Sequence, residues 1–321
     1  MEKAANKKIT SKIFEKHEIC IAVALLILIC LFSLHSPRFF SVQNFRTILN
    51  QITMVFVIAV GMTIVIILGG IDLSAGNLSA FTGMIVTYLL SNGTNVVLAV
   101  VIGLCVGMAI GFLNGFLITK IGITDFIVTL AMMSALRGGI FSVTGGYPIH
   151  RNIPDSFRFI GQGTVFQIPL LIIIAVIVFI VGHLLLTKFT FGTYVYATGG
   201  NKESARLSGV NVDLIKIIGY VTSGLTASMA GIMMSSRLGS GQPTAGDTFL
   251  FDAIGATVLG GTSLSGGSGM LIGTAIGVCI IGVISNGLTI MNVSFYYQEI
   301  IKGAIIILAV SYNAMRMKNK G

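Results

Sequence analysis

The residues whose types and spacing suggest chemistry form a polar, glycine-rich break in a long apolar run. Gly69 and Gly70 are followed by Asp72, Ser74 and Asn77, which place carboxylate, hydroxyl and amide groups where hydrocarbon is expected. Adjacent glycines favour leaving a helix, and freed backbone groups are tolerated at membrane depth only beside a cavity or packed protein. These side chains can therefore line a polar pathway, or Asp72 can cap the next helix. The two interpretations are compatible.

The same pattern returns later in the chain. When residues 259–268 are aligned with residues 68–77, six of ten positions are identical: two leucines, three glycines and one serine. Thr262 and Ser263 stand where the first copy has Ile71 and Asp72. A polar break that occurs twice in apolar sequence predicts a duplicated membrane core around a polar pathway. The repeat elements are expected near residues 51–91 and 249–288, running the same way through the membrane.

Further uncharged polar side chains can extend such a pathway, because a neutral solute needs hydrogen-bond donors and acceptors along a path of low charge. Hydrogen bonding between helices is the alternative role for each of them. The charged residues Asp252, Glu299 and Lys302 are instead expected to be internal charge partners. The predicted pathway residues are Asp72, Ser74, Asn77, Asn114, Gln242, Thr262, Ser263, Asn286, Tyr296 and Gln298.

The sequence contains no pattern typical of a catalytic or metal site. It has no G-x-x-x-x-G-K-[ST], so the chain is not expected to bind the phosphates of ATP, and it has no H-E-x-x-H or G-x-S-x-G. The histidines at positions 17, 35, 150 and 183 are scattered, which argues against a metal site. We expect no catalytic residue, metal or cofactor in this chain. Energy for transport must then come from a partner protein or an ion gradient.

Composition places these motifs in a membrane protein. Of the 321 residues, 54% are hydrophobic and 10% are charged, whereas soluble domains carry about 25% charged residues. Because charges are costly within a bilayer, we predict an all-α polytopic membrane protein. At about 20 residues for each span, the apolar runs predict about ten transmembrane helices. Gly103, Gly107, Gly111 and Gly115 form a ladder of small residues that predicts close packing against another helix.

The predicted organisation is one transmembrane domain with basic ends. Residues 1–18 are expected to form a basic cytoplasmic N-terminus, residues 19–314 a transmembrane domain, and residues 315–321 a basic cytoplasmic tail. Within the domain, residues 188–216 are expected to form a large cytoplasmic loop. Both termini are assigned to the cytoplasm because basic residues favour that side of the membrane.

The net charge of +9 agrees with the same organisation. Thirteen of the 20 Lys and Arg residues fall in predicted cytoplasmic segments: five at the N-terminus, one at Lys120, four within residues 188–216 and three in the tail. This distribution agrees with the positive-inside rule. Since no basic stripe with interleaved aromatic residues is present, we expect no nucleic-acid partner.

The cytoplasmic loop contains a motif of its own. Residues 199–210 have helical propensity up to Gly209, which is expected to end the helix. Glu203, Ala205 and Gly209 resemble the E-A-A-x-x-x-G loop of ABC importer permeases, with Ser204 in place of the middle alanine. The resemblance implies a short helix that docks in a groove of a separate ATPase; a solvated turn is the alternative. The predicted coupling residues are Lys202, Glu203, Ala205, Arg206 and Gly209.

Longer strings, taken in order, extend the resemblance. From about Pro37 to Val310 the chain closely resembles the ribose-type permeases of bacterial sugar ABC importers. The strings are GMT at 61–63, GGIDLS at 69–74, GGN at 199–201, RLSG at 206–209, QPTAG at 242–246, LGGTSL at 259–264, NGL at 286–288 and YYQ at 296–298.

The resemblance implies the permease subunit of a ribose or similar monosaccharide importer, a multi-pass protein of the bacterial cytoplasmic (inner) membrane. Its expected partners are a cytoplasmic ATPase that uses ATP and Mg, an external sugar-binding protein and a second permease copy, in a homodimer or pseudo-dimer, within the lipid bilayer. An ion-coupled secondary sugar transporter is the alternative. That mechanism needs a titrating carboxylate in the membrane, for which Asp72 and Asp252 are the candidates.

Overall fold

The computed structural model describes residues 2–318, with side chains described for residues 18–308, 310 and 311. A π-helical turn, Leu117–Ile121, comes after the fourth helix, and β1 (Thr164–Val165) pairs antiparallel with β2 (Ile168–Pro169). The α-helices are α1 (Glu2–His35), α2 (Val42–Ile67), α3 (Ala75–Ser91), α4 (Val96–Phe116), α5 (Asp125–Thr144), α6 (Asp155–Gln162), α7 (Leu170–Thr187), α8 (Thr190–Gly200), α9 (Lys202–Leu207), α10 (Val212–Leu238), α11 (Phe249–Leu259), α12 (Leu271–Ile290) and α13 (Phe295–Lys318).

Seven helices in the described part of the chain are long and apolar enough to cross a membrane. They are α1 from Glu18 onward, α2, α4 with its π-helical turn, α5, α7, α10 and α12. Two apolar helices are shorter, since α3 has 17 residues and α11 has 11. The mostly helical membrane fold is therefore confirmed, whereas the number of about ten spans stays a prediction.

Several helix boundaries differ from those expected. The sequence favours a separate interfacial segment before a second span near Gln51, but α2 is continuous from Val42, and the Ser41 hydroxyl accepts from the Asn44 N–H at 3.2 Å. The sequence places the seventh span near Ile217, but α10 begins at Val212. Polar N-caps set both starts, and apolar periodicity does not reveal them.

The two ends of the chain are also more helical than expected. α1 begins at Glu2 and so includes most of the basic segment 1–18. At the other end α13 continues to Lys318, into the predicted tail 315–321, and the last three residues of that tail lie outside the described part.

The centre of the fold is α2, which packs against α7, α10, α11 and α12. Its residues from Met54 to Leu68 are almost all buried, because the helix is apolar on every side. The predicted glycine ladder of α4 packs against α10. A Cβ atom added at Gly107 would lie 2.6 Å from the Gly224 carbonyl oxygen, and one at Gly115 would lie 2.8 Å from the Ile217 Cα. The predicted close packing of two helices is confirmed.

The segment between α10 and α11 explains why α11 is short. It runs along α3, with Gly241 against Thr87 near the end of that helix and Gly246 against Gly76 near its start. The chain therefore turns into α11 beside the first glycine break, and few residues remain before the second one.

Candidate translocation and coupling sites

The first break begins with a Schellman helix end. Leu68 caps α2, Gly69 is left-handed with a φ of 75°, and its N–H donates to the Ile66 carbonyl at 2.9 Å. The Gly70 N–H donates to the Val65 carbonyl at 3.0 Å. Left-handed backbone favours glycine, so Gly69 is the residue that this helix end requires.

The second break ends its helix in the same way. Gly261 has a φ of 89°, and its N–H donates to the Val258 carbonyl at 2.9 Å. The Thr262 N–H donates to the Thr257 carbonyl at 3.2 Å. Gly261 is thus the counterpart of Gly69, one position later than the sequence alignment places it. The helices before the breaks have 26 and 11 residues, so the duplication of the whole core stays a prediction.

Polar residues of the first break form an internal network. Asp72 is fully buried, and its Oδ1 accepts from the Ser74 hydroxyl at 2.6 Å and the Ser74 N–H at 3.0 Å. Its Oδ2 accepts from the Ser223 hydroxyl of α10 at 2.7 Å, and Asn114 of α4 donates to the Ser74 hydroxyl at 3.0 Å. Asp72 therefore fastens the start of α3 to α10, which favours the capping interpretation.

Two further pathway candidates bond other parts of the protein. The Asn77 amide donates to the Met133 carbonyl of α5 at 3.0 Å, and the Asn286 side chain accepts from the Asn44 amide of α2 at 2.9 Å. These bonds correspond to the alternative role in helix–helix hydrogen bonding. They leave the predicted role in translocation untested.

The α13 candidates and Gln242 lie towards the opposite end of the helices from the breaks. The Gln298 amide donates to the Val293 carbonyl at 2.9 Å, and the Gln242 amide donates to the Ser240 hydroxyl at 3.0 Å. Tyr296 is exposed. The structure thus groups Asp72, Ser74 and Asn114, and it does not gather all ten predicted residues around one channel within a single chain.

The second break differs in its polar contacts. The Ser263 N–H donates to the Ser268 carbonyl at 3.0 Å, and the Ser263 hydroxyl accepts from the Ser265 N–H at 3.2 Å. The hydroxyl oxygen of Thr262 is buried and has no hydrogen-bond partner among the described residues. Hydrogen bonds within the loop therefore stabilise it, whereas the Thr262 hydroxyl oxygen stays unbonded among the described residues.

The predicted coupling helix is present as α9. The Asn201 side chain accepts from the Ser204 N–H at 2.8 Å at its start, and Gly209 is left-handed after its end. Ala205 is buried against the core, whereas Lys202 and Glu203 are exposed. The short helix is thus anchored on one side and presents charged residues on the other.

Exposed ion pairs connect α9 with the start of α10, and through it with the π-helical turn. Arg206 lies 3.5 Å from Asp213 at the start of α10, and Asp213 lies 3.0 Å from Lys120 of the π-helical turn. Arg206 also pairs with Glu203 at 3.6 Å. No local spacing predicts the Lys120 pair, because the two residues are far apart in sequence.

Leu207 is a second residue that the sequence-based prediction missed. It ends α9 and is 87% exposed. A large apolar side chain in a six-residue helix that otherwise contains four polar residues and one alanine is the signal that points to it. This exposure leaves the Leu207 side chain free to contact another protein.

Three pairs of glycines meet next to α9, and we call them the glycine junction: Gly69–Gly70, Gly199–Gly200 and Gly266–Gly267. A Cβ atom at Gly199 would overlap the Ile67 carbonyl oxygen, and one at Gly266 would lie 2.8 Å from the Gly199 carbonyl oxygen and 2.9 Å from the Gly69 Cα. The Gly267 N–H donates to the Ile67 carbonyl at 2.8 Å. The end of α8 therefore contacts both breaks directly.

A tyrosine strengthens this contact. The Tyr196 hydroxyl of α8 donates to the Gly269 carbonyl of the second break at 2.8 Å. Burial raises the pKa of Tyr196, so the hydroxyl stays protonated and able to donate. Because α8 leads directly into α9, a displacement of α9 reaches both breaks through α8.

Two ion-paired groups of charged residues lie on or beside the apolar helices α5, α11 and α13 in the described part of the chain. The Lys302 ammonium lies 2.9 Å from the Asp252 carboxylate and also contacts Glu299, as expected for internal charge partners. Arg137 lies 4.0 Å from Asp247. By contrast, α4 and α7 contain no Asp, Glu, Lys or Arg. Across the described side chains, no three His, Cys, Asp or Glu residues are placed to hold a metal ion.

Comparison with other proteins identifies the family. A family model described as the branched-chain amino acid transport system / permease component matches residues 44–310. The chain belongs to this permease family. The permease is 45% identical to the ribose import permease protein RbsC of Escherichia coli K12 over 291 residues, which cover 90% of this chain and 91% of that protein.

Other relatives have the same extent. The permease is 44% identical to RbsC of Bacillus subtilis, covering 90% of each chain. It is 36% identical to the L-arabinose ABC transporter permease protein AraH of Azospirillum brasilense, covering 94% of this chain and 88% of that protein. No solved structure matches it.

Proposed function

We propose that this permease is the transmembrane subunit of an ATP-driven importer of a monosaccharide, with ribose as the leading substrate. The observation that carries the proposal is the 45% identity with a ribose import permease over 90% of the chain. The family model is described by branched-chain amino acid transport. The relatives RbsC and AraH are instead named for ribose and L-arabinose, which favours a sugar.

The exposed surface of α9 is consistent with the binding of a partner ATPase. Lys202, Glu203 and Leu207 are exposed for contact with a partner, whereas Ala205 is buried against the rest of the permease. A movement of the bound ATPase can therefore displace α9 while Ala205 keeps the helix packed on the permease. ATP and Mg are used by that partner and not by this chain. In this assembly α9 faces the cytoplasm, both termini lie on the same side, and an external protein delivers the sugar.

The exposed ion pair between Arg137 of α5 and Asp247 is consistent with a second permease copy beside this chain. Ionisable residues within membrane segments almost always face a protein interior or a water-filled cavity, because lipid cannot solvate them. We place an identical copy against this ion pair, with the translocation pathway between the two copies. Arg137 and Asp247 then lie beside the pathway and not in lipid.

The glycine junction supplies the connection between ATP use and the pathway. Closure of the partner ATPases moves α9 and α8, and the contact of Gly199 with Ile67 and Gly266 passes this movement to both breaks. Tightly packed backbone has little room to absorb a displacement, so the breaks move with α8. The pathway then alternates between its external and cytoplasmic openings.

Energised uptake tests the function. Cells that express the permease with its ATPase and binding protein are expected to accumulate labelled ribose with ATP present and the proton gradient dissipated by an uncoupler. A panel of unlabelled pentoses, hexoses and leucine defines the substrate by competition. Loss of uptake with the gradient, while ATP remains high, would support the ion-coupled alternative instead.

Substitution of Glu203 tests the coupling surface. Glu203→Lys is expected to lower uptake by about tenfold, because a reversed charge opposes docking with the ATPase, while the amount of permease in the membrane is unchanged. Asp155→Lys is the matched control, since Asp155 is an exposed acid on α6, away from α9. Wild-type uptake and ATPase association in Glu203→Lys would refute the docking role.

A further inference from the structure

A partly open cavity of about 320 Å³, lined by both apolar and polar side chains, lies between helices away from the two breaks. Its walls are formed by α2, α10, α11, α12 and α13. Gln51 lies near the start of α2, Arg237 in the last turn of α10, and Thr289 near the end of α12. These helix ends lie on the side of the protein opposite α9. In the proposed topology the cavity therefore belongs to the external half of the permease.

The walls carry hydrogen-bonding groups on different helices. On α10, Arg237 donates to the Asn50 carbonyl at 2.9 Å and, among the described residues, has no carboxylate within ion-pair distance. A guanidinium has five N–H donors, so this contact leaves donors for the cavity. On α11 and α13, the Asp252 carboxylate and Lys302 ammonium are paired at 2.9 Å. Gln51 and Ser285 add uncharged donors and acceptors.

The charges around the cavity cancel. Arg237 and Lys302 are positive, whereas Asp252 and the neighbouring Glu299, which contacts Lys302, are negative. An anionic ligand would meet Asp252, and a cationic one would meet Arg237. A neutral molecule with several hydroxyls avoids both conflicts and uses donors and acceptors on different helices. The volume lies at the lower end of the roughly 300–1,000 Å³ typical of small-molecule sites.

Within one chain, the wall formed by α13 has the fewest contacts with the other walls. In the described part of the chain, its extensive contacts are with α11 and α12 only. Phe295, Gln298 and Lys302 face the cavity, and the Lys302–Asp252 pair fastens this helix to α11. Movement of α13 away from α2 would therefore enlarge the cavity without breaking the central packing of α2.

We propose that this cavity is an entry site in which an uncharged monosaccharide is held after delivery and before it reaches the breaks. Arg237, Gln51, Ser285 and the Asp252–Lys302 pair form its hydrogen bonds. This inference rests on the proposed function. The site differs from the pathway predicted from the sequence. Of the residues that line the cavity, only Gln298 is among the ten predicted pathway residues.

Cysteine labelling tests the site without requiring transport. Ser285→Cys is made in a permease whose four native cysteines are alanine, assembled with its partners in membrane vesicles. A water-soluble maleimide should label it, and millimolar ribose should slow labelling by about tenfold, as expected for occupancy near 90%. Arg151→Cys, in an exposed loop, is the control that ribose should leave unchanged.

The outcomes separate the site from the function. Ribose 5-phosphate and leucine should protect Ser285→Cys less than ribose; equal or better protection by either would overturn a neutral sugar as the ligand. In Arg237→Gln the ribose concentration for half-protection should rise about tenfold, with partial recovery in Arg237→Lys. If the wild type imports ribose but no transported sugar protects Ser285→Cys, the entry site is refuted. If ribose protects but uptake needs the proton gradient, the site stands and the ATP-driven function fails.

Discussion

The two breaks end their helices with the same hydrogen bonds, but the segments after their glycines differ. After α2, the chain places Asp72 in a network with Ser74 and Ser223 that ties three helices together. After α11, the chain forms an uncharged loop that contacts α8 through Gly266 and leaves the Thr262 hydroxyl unbonded among the described residues. The first break thus behaves as a fixed joint, and the second as a surface for close backbone contact.

The largest effect is expected from breaking the fixed joint. Asp72→Ala removes the acceptor of three hydrogen bonds and leaves the buried Ser74 and Ser223 hydroxyl groups without the acceptor to which they donate, so we expect a loss of about 3 kcal/mol in the free energy of unfolding. Since the chain has no tryptophan, thermal unfolding in detergent is monitored by circular dichroism. Asp155→Ala, at an exposed acid, should change little. A loss of less than about 1 kcal/mol in Asp72→Ala would show that the network does not hold the joint.

The next effect concerns the contact between α8 and both breaks. In Gly199→Ala the new methyl group overlaps the Ile67 carbonyl oxygen, and we expect a cost of about 2 kcal/mol together with weaker uptake. Gly200→Ala is the matched control, because a Cβ at that position meets nothing within 4 Å. Equal uptake and stability in the two variants would contradict transmission through the glycine junction.

The sequence predicts where the two breaks lie, but it does not predict which of their glycines correspond in the structure. Adjacent glycines in apolar sequence located both breaks, and the spacing from Glu203 to Gly209 located α9. The alignment nevertheless paired the wrong glycines, because Gly260 is held in the end of α11, where a Cβ would overlap the Gly273 carbonyl oxygen of α12. Packing between distant segments decides which glycine adopts a left-handed backbone conformation. The local sequence does not show this packing, so it does not predict which glycine that is.

The same limit applies to the candidate pathway. Polar residue types in apolar runs identify Asn114 and Asn286, but they do not distinguish a residue that bonds another helix from one that faces a cavity. The charged cavity residues Arg237 and Asp252 were not predicted as pathway residues, since their proximity depends on how α10, α11 and α13 pack. Only the three-dimensional arrangement places them around one space.

A smaller change tests the hydrogen bonds within the first break. Ser74→Ala keeps the Asp72 carboxylate and its bond to Ser223 but removes the hydroxyl that donates to Asp72 and accepts from Asn114. We expect a loss of about 1.5 kcal/mol, smaller than for Asp72→Ala because one acceptor of the network remains. The midpoints of thermal unfolding of Ser74→Ala and Asp72→Ala, measured under the same conditions, show which variant loses more stability. A larger loss in Ser74→Ala would reverse the assignment of Asp72 as the centre of the joint.

The smallest effect on stability is expected in the second break. Thr262→Val replaces the unbonded hydroxyl with a methyl group of similar size, so stability should change by no more than about 0.5 kcal/mol or rise slightly. Ser74→Ala is the matched comparison, because its hydroxyl is bonded. The same variant also tests the predicted place of Thr262 in the pathway, since its hydroxyl has no hydrogen-bond partner among the described residues. Unchanged stability with reduced ribose uptake would support that role, whereas a loss of both would mean that the hydroxyl serves the fold, as Ser74 does in the first break.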